Sequence, residues 1–225
     1  MTDTRAIPPN NLPATAMHPT SKVDFAPIKA RQHSAWSAGD YRRIGSTLQL
    51  TGEELAERFA LRPGSSVLDV AAGNGNATLA FARRFADVTS TDYVEGWLEL
   101  GRNRAEAEGL SVTYKVADAE NLPFDDASFD AVVSTFGVMF TPDQVRAANE
   151  LIRVCKKGGS IGLANWTPSS FIGGLFGVIG KHIPPASGLS SPARWGTEEW
   201  LGEQFGELCA DIEVTTKKFV FVYPS

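Results

Sequence analysis

Residues 67–77 of this chain read VLDVAAGNGNA, an apolar run followed by a loop of small residues that contains Gly73 and Gly75. Helical patterning begins directly after this loop, so the stretch predicts a strand, a tight turn and the start of a helix. Glycine lets the backbone turn sharply and approach a ligand where a Cβ atom would clash. The free amide groups at the start of the helix would face the same ligand. The stretch therefore predicts a ligand-binding turn at the end of a strand.

An acidic residue closes the next predicted strand, residues 87–92. This residue, Asp92, follows Gly75 by 17 positions. A carboxylate at the end of a second strand can accept hydrogen bonds from the hydroxyl groups of a ribose. The loop and the acid together predict a cofactor that contains a nucleoside.

The dinucleotide fingerprint G-x-G-x-x-G/A fits this loop only in part. Gly73 and Gly75 match it, but Thr78 stands where a small residue would let helix and strand pack closely. Asp69 predicts a carboxylate that points into the loop region, where it would repel a pyrophosphate and attract an ammonium or sulfonium group. These residues favour a cationic nucleoside, and an NAD-dependent reductase is a third-ranked alternative.

At these positions the chain resembles the class I S-adenosylmethionine-dependent methyltransferases. Their first motif, an acidic residue followed by G-x-G, matches Asp69, Gly73 and Gly75, and the acid that closes their second strand matches Asp92. The resemblance extends over about residues 60–166 through segments in the family's order, which are 116–124, 129–136, 151–154 and 157–161. The most similar subgroup is the small-molecule methyltransferases that include the ubiquinone and menaquinone C-methylating enzymes.

The resemblance implies S-adenosylmethionine as the cofactor. It implies that Asp118 lies near the adenine amino group and that Trp36 and Tyr41 cover the methionine end. An aromatic face beside a sulfonium contributes about 0.5–2 kcal/mol. The complete set of candidate cofactor residues is Asp69, Ala71, Gly73, Asn74, Gly75, Asp92, Tyr93, Asp118, Ala119, Thr135, Trp36 and Tyr41.

Several of these residues also have a purely structural interpretation. Glycines are common in turns, and Asp92 could cap the helix that begins near Val94. Asp118 lies in a run that favours turns. Trp36 and Tyr41 could be ordinary packing aromatics.

The acceptor side of the reaction has weaker signals in the sequence. Phe136, Met139 and Phe140 follow a predicted strand and would line an apolar pocket or belong to the core. His33 and His182 are weak candidates for a general base, and the catalytic residue stays unknown. The leading hypothesis is in-line methyl transfer to an O, N or C atom of a small, fairly apolar acceptor. The alternative is a non-catalytic binding or partner module with the same fold.

The alternation of strands and helices predicts an α/β fold. We expect a Rossmann-like, doubly wound and mostly parallel sheet with flanking helices and an N-terminal helical cap. Ligands bind such sheets at the carboxyl ends of the strands. The predicted core strands are 66–71, 87–92, 111–117, 129–136 and 158–166, and the helices between them are 76–85, 94–108 and 142–155.

The remaining segments complete a single predicted methyltransferase domain, residues 27–225, with its helical cap over 27–61. Residues 1–26 read as a disordered tail. Residues 168–193 predict a flexible insertion over the active-site edge or, equally, a buried connector helix; a membrane contact is less favoured because the segment lacks a basic face. A helix over 198–208 and a strand over 210–222 follow. The family's last strand is not found, and a free sheet edge would offer a homodimer surface.

The composition indicates which classes of partner and which cellular compartment to expect. The net charge of −5 argues against a nucleic-acid partner. The two cysteines favour a reducing compartment and show no metal-ligand spacing, so no metal is expected. No signal peptide and no apolar run of about 18 residues is visible, which predicts a cytoplasmic protein without a membrane span.

Overall fold

The computed structural model describes residues 24–186 and 188–220. In this part of the chain, parallel strands form one sheet in the order β3-β2-β1-β4-β5. The predicted α/β, Rossmann-like sheet is therefore confirmed, and its named strands are parallel throughout. Their bounds are Ser66–Val70 (β1), Asp87–Asp92 (β2), Thr113–Val116 (β3), Phe129–Thr135 (β4) and Cys155–Ala164 (β5).

Helices flank the sheet and precede it. Their bounds in the described residues are Ala26–Ala38 (α1), Arg42–Thr47 (α2), Gln49–Arg58 (α3), Asn76–Ala82 (α4), Glu95–Ala107 (α5), Gln144–Val154 (α6), Phe171–His182 (α7) and Glu198–Phe205 (α8). Short 3₁₀ helices cover Val138–Phe140 and Pro192–Gly196.

The core lies on both faces of the sheet. Val67 and Leu68 are neighbours in β1 and both are fully buried, yet they belong to separate apolar clusters. Successive strand residues point to opposite faces, which explains the division. Leu151 of α6 packs in the cluster of Leu68, and Phe81 of α4 packs in the cluster of Val67. Both faces are covered, as parallel sheets require.

The strand order creates the place for a ligand. The chain builds β2 and β3 on one side of β1, and β4 then pairs with β1 on its other side. The connections that leave β1 and β4 therefore diverge at their carboxyl ends. A crevice forms at such a switch point.

The segment after β5 differs from the buried-connector interpretation of residues 168–193. It contains a helix, α7, whose N-terminus is capped by the Ser170 hydroxyl, which accepts a hydrogen bond from the Gly173 amide at 3.0 Å. No residue of α7 is buried, and Phe171 is 84% exposed. The buried connector interpretation is therefore wrong about burial, and the flexibility of the segment stays a prediction.

The predicted strand over 210–222 is wrong for its described part. Residues 210–220 have no regular secondary structure. A strand needs a backbone partner, and here side chains make the contacts instead. Glu213 pairs with Arg58, and Lys217 pairs with Glu54, both on α3. The last residues of that prediction, and residues 1–23 of the predicted tail, lie outside the described residues.

Candidate functional site

A crevice opens at the carboxyl ends of β1, β2 and β4. Its empty space is about 970 Å³, including the part open to solvent. Most of the residues predicted for the cofactor or acceptor meet here. They are Trp36, Tyr41, Ala71, Gly73, Asn74, Asp92, Tyr93, Asp118, Ala119, Thr135, Phe136 and Phe140.

The loop after β1 forms one wall of the crevice. Gly73 has a φ of +56°, and a Cβ atom added to it would meet no atom within 4 Å. The space above this glycine is therefore open for a ligand. Gly75, with a φ of +84°, is the N-cap of α4 and is not among the lining residues. Its role is to turn the chain into the helix.

Asp92 lies at the base of the crevice, where β2 ends. It is only 6% exposed, and burial raises the pKa of its carboxyl group. Its two oxygens accept hydrogen bonds from the Gly73 and Val94 amides, each at 2.9 Å. An ionised carboxylate has about four acceptor positions, so the group can cap the following turn and still accept hydroxyl groups of a ligand. This acceptor fits the ribose of a nucleoside.

Asp69 lies beneath the loop, which corrects the expectation of a carboxylate that faces the ligand. The side chain is fully buried and absent from the crevice lining. One oxygen accepts from the Thr78 amide at 2.8 Å and from the Thr78 hydroxyl at 2.6 Å. Thr78 therefore replaces the small residue of the dinucleotide fingerprint for a structural reason, since it satisfies a buried acid. The other oxygen of Asp69 has no hydrogen-bond partner among the described residues.

The Asp69 carboxyl group predicts a pH dependence of stability. Burial raises its pKa from 3.8 to about 7. The folded state then keeps a proton that the unfolded chain has released, so this stabilisation is complete below pH 3.8 and is lost as the pH rises to about 7. The loss amounts to roughly 4 kcal/mol at most.

We expect Asp69→Asn to flatten the fall in the free energy of unfolding between about pH 4 and 7. Urea unfolding at a series of pH values measures this. Asp87→Asn, at the exposed start of β2, is the control and should keep the wild-type slope. An unchanged slope in Asp69→Asn would show that Asp69 is ionised in the folded protein.

Helix α1 covers one side of the crevice, although none of its residues is buried. Lys29, Gln32 and Trp36 all line the crevice. The Gln32 amide donates a hydrogen bond to the Phe140 backbone oxygen at 3.0 Å. Polar and aromatic contacts, rather than an apolar face, therefore hold the helix over the site.

A lysine joins α1 to the acidic segment after β3. The Lys29 ammonium pairs with Asp118 at 2.5 Å and with Glu120 at 2.6 Å. Burial opposes the charge, but the hydrogen bonds to Asp118 and Glu120 outweigh it and raise the pKa of Lys29. Burial raises the pKa of Glu120, whereas the Asp118 side chain is 39% exposed. Asp118 is thus the carboxylate of this pair that a ligand can reach.

Aromatic rings line another part of the crevice. Trp36 contacts Tyr41 and Phe140 edge to face, with ring centroids 6.0 and 5.2 Å apart. Phe140 in turn contacts Phe176 of α7 at 5.8 Å. Met139 is fully buried in the core and does not line the crevice, which corrects its assignment to the acceptor pocket. The 3₁₀ turn over Val138–Phe140 explains this, since it presents successive side chains in different directions.

The two candidate histidines lie outside the crevice. His33 and His182 are both exposed, and neither is among the lining residues. The His33 ring meets the Tyr93 ring edge-on at 5.3 Å. His33 therefore reaches the crevice only through Tyr93, which lines it, and His182 stays a prediction from the sequence.

Residues 24–186 and 188–220 lack two other features that bear on function. No group of three or more His, Cys, Asp or Glu residues there could hold a metal ion. No helix in the same ranges is long and apolar enough to cross a membrane.

The structure adds crevice residues that the sequence did not single out. Lys29 and Gln32 share a helix face with Trp36, so a helical projection from that residue could have found them. Glu120 adjoins the predicted Asp118. Five others adjoin predicted residues in the sequence, and these are Ala72, Asn76, Ala117, Gly137 and Thr141. Tertiary packing brings Leu48, Trp97 and Pro142 to the site.

Comparisons with known proteins agree with this geometry. Residues 68–163 match the family model of a methyltransferase domain. An uncharacterised protein of Mycobacterium tuberculosis is 40% identical over 200 residues, which cover 88% of this chain and 72% of that protein. The demethylmenaquinone methyltransferase of Clavibacter sepedonicus is 38% identical over 170 residues, which cover 72% of this chain and 69% of that enzyme.

A solved structure leads to the same family. A protein of Bacillus halodurans, provisionally assigned as a methyltransferase, is 28% identical to this chain. The superposition has a TM-score of 0.56 and covers 68% of this chain and 67% of the other.

Proposed function

We propose that this chain, which belongs to the class I S-adenosylmethionine-dependent methyltransferases, methylates a small, fairly apolar acceptor at an O, N or C atom. S-adenosylmethionine is the methyl donor. The observation that carries the proposal is Asp92, a buried carboxylate that binds the amide of Gly73 in a crevice walled by aromatic rings. A nucleoside with a cationic, partly apolar arm suits this combination of a carboxylate that accepts hydrogen bonds and aromatic rings.

The crevice residues divide into two groups under this proposal. Asp92 binds the ribose, and Asp118 receives the adenine amino group. The loop at Gly73 and Asn74 leaves room for the methionine portion, and Trp36 and Tyr41 line the same crevice. The support is that all of these residues line one crevice.

The acceptor is proposed to bind between Phe136 and Phe140. Both line the crevice, and Phe140 contacts Trp36. The relative named for demethylmenaquinone supports an apolar acceptor. Pockets of this kind bind mainly through apolar and aromatic side chains, and a few polar groups set orientation.

The protein's contribution to the chemistry is alignment. S-adenosylmethionine, when bound, supplies an activated methyl group on a sulfonium. The protein must hold the acceptor atom in line with that group, and such positioning can lower the barrier by about 7–11 kcal/mol. Helix α1, held through Lys29 and Gln32, closes one side of the crevice and helps to exclude water.

Location and partners complete the proposal. The net charge of −5 supports a function without a nucleic-acid partner. The two free cysteines support a reducing compartment such as the cytoplasm. In the described residues β5 pairs only with β4, so its other edge is a candidate homodimer surface.

Isothermal titration with S-adenosylmethionine, S-adenosylhomocysteine and NADH tests the proposed site. We expect micromolar binding of the first two and none of NADH. Binding of NADH alone would favour the reductase alternative, and binding of none would refute the site. Binding without turnover in a broad acceptor screen would favour the non-catalytic module.

The acceptor pocket leads to a kinetic prediction. Phe140→Ala removes an aromatic wall, so we expect the KM for an acceptor found by that screen to rise by about tenfold. The dissociation constant of S-adenosylhomocysteine should change far less. Phe85→Ala, at a phenylalanine that is 76% exposed, is the matched control. The reverse pattern, with weaker cofactor binding and an unchanged KM, would reject the pocket assignment.

A further inference from the structure

An arginine outside the crevice contacts the loop that follows β1 and lines the proposed cofactor site. Arg104 of α5 directs one guanidinium nitrogen, Nη1, to the segment that follows Gly73. This nitrogen donates to the Asn74 backbone oxygen at 2.7 Å and to the Asn76 side-chain oxygen at 3.0 Å. Hydrogen bonds from a charged donor are about twice as strong as those between neutral groups. One cation therefore fixes two points of the loop.

The charge of Arg104 has no acidic partner in ion-pair distance among the described residues. Glu108, one turn further along α5, pairs with Arg83 instead. Burial lowers the pKa of Arg104. A partly buried cation is costly unless its donors are satisfied, so the oxygens of the loop take the place of a carboxylate. The hydrogen bonds to the loop therefore explain the position of Arg104 better than a surface ion pair does.

Asn76 extends the contact to the helical cap. Its side chain is buried, accepts from Arg104, and donates to the Gly45 backbone oxygen of α2 at 2.7 Å. Helix α3 approaches from another side, since a Cβ atom on Gly52 would lie 2.8 Å from the Asn76 backbone carbon and oxygen. The loop is thus enclosed by α5, α2 and α3.

We propose that Arg104 is a positioning residue for the cofactor. It holds residues 74–76 in the conformation that binds S-adenosylmethionine, and it links that conformation through Asn76 to the cap. Asn74 and Asn76 line the crevice, whereas Arg104 does not, so Arg104 acts only through the loop. Preorganised loops bind more tightly because less conformational entropy is lost on binding. The inference rests on the proposed cofactor site.

Calorimetry with S-adenosylhomocysteine tests the role of Arg104. Arg104→Met keeps an unbranched apolar stem and removes the hydrogen-bond donors, and we expect the Kd of this variant for S-adenosylhomocysteine to rise roughly tenfold or more. Arg104→Lys keeps the charge and should recover part of the affinity. Arg102→Met, on the same helix but paired with Glu99, is the matched control and should bind like the wild type. Hydrogen exchange of the amides at residues 73–77 should be faster in Arg104→Met than in either wild type or control.

A merely structural role would lower the melting temperature and leave the Kd of the folded fraction unchanged. A wild-type Kd in Arg104→Met, or the same change in Arg102→Met, would therefore overturn the proposal. If Arg104→Met does not fold, Arg104→Gln is read by the same criteria. Wild-type protein that binds no S-adenosylhomocysteine would refute the proposed function as well, whereas wild-type binding with unaltered affinity in the Arg104 variants would refute only this inference.

Discussion

Replacement of Asp92 with alanine is expected to weaken the binding of S-adenosylmethionine by about 100-fold or more. A hydrogen bond to a charged acceptor contributes about 1.5–3 kcal/mol, and removal of the carboxylate would eliminate its hydrogen bonds to two ribose hydroxyls. The same change removes the acceptor of the Gly73 amide, so the loop also loses a contact. Both effects act on the cofactor and neither acts directly on the acceptor pocket.

Titration calorimetry of the purified variant measures this loss. Asp87→Ala is the matched control, because it changes the same residue type at the other, exposed end of β2. Circular dichroism and thermal unfolding of the free proteins establish that both variants fold. A dissociation constant within a factor of two or three of wild type in Asp92→Ala would remove Asp92 from the cofactor site.

Replacement of Gly137 with alanine is expected to lower the free energy of unfolding by about 3 kcal/mol or more. A Cβ atom on Gly137 would overlap the backbone oxygen and the Cβ atom of Ala71. Overpacking in a dense region costs about 1–3 kcal/mol and more where backbone must move. Here the obstacle is backbone at the end of β1, so a side-chain rotation cannot relieve it.

The backbone around this contact has little freedom to adjust. Ala71 and Phe136 have positive φ values of 53° and 58°, and they lie where β1 and β4 end. Strained residues of this kind persist only where the surrounding structure holds them, and they cluster at functional sites. We therefore expect Gly137→Ala to weaken cofactor binding as well, since Ala71 and Gly137 both line the crevice.

Chemical denaturation measures the effect at Gly137. Gly96→Ala in α5 is the control, because a Cβ atom there meets nothing within 4 Å. Alanine at a helical glycine with free space is expected to stabilise the protein by about 0.4–1 kcal/mol. Equal stability of the two variants would mean that the ends of β1 and β4 separate easily.

Local patterns predicted the cofactor side of the site. The loop at residues 71–75 and the acid at Asp92 occupy consecutive strand ends, and parallel strands bring such ends to one edge. Sequence spacing alone is then sufficient to group them. The predicted strand at 210–222 was wrong over its described part because alternation indicates a suitable strand but does not supply a partner for its backbone.

The residues that line the acceptor pocket, and the contacts that support the loop after β1, depend on tertiary packing. Met139 and Phe140 are adjacent in the sequence, yet one is in the core and the other lines the crevice. The sequence predicts that Asp69 attracts a cation, but its carboxyl group accepts hydrogen bonds from the Thr78 amide and hydroxyl instead. Side-chain direction at such positions depends on the neighbouring elements, which periodicity does not specify.

The sequence by itself determined the order of the core strands and helices over residues 66–164, the ligand-binding turn at Gly73 and the family to which the chain belongs. These follow from local backbone preferences and from short-range spacing. Only the tertiary structure decided that α1 covers the crevice through Lys29 and Gln32, and that Arg104 supports the loop from behind. Those contacts join residues 28 to 108 positions apart, and a hydrogen bond or ion pair over such a separation forms only when the whole fold brings its two groups together.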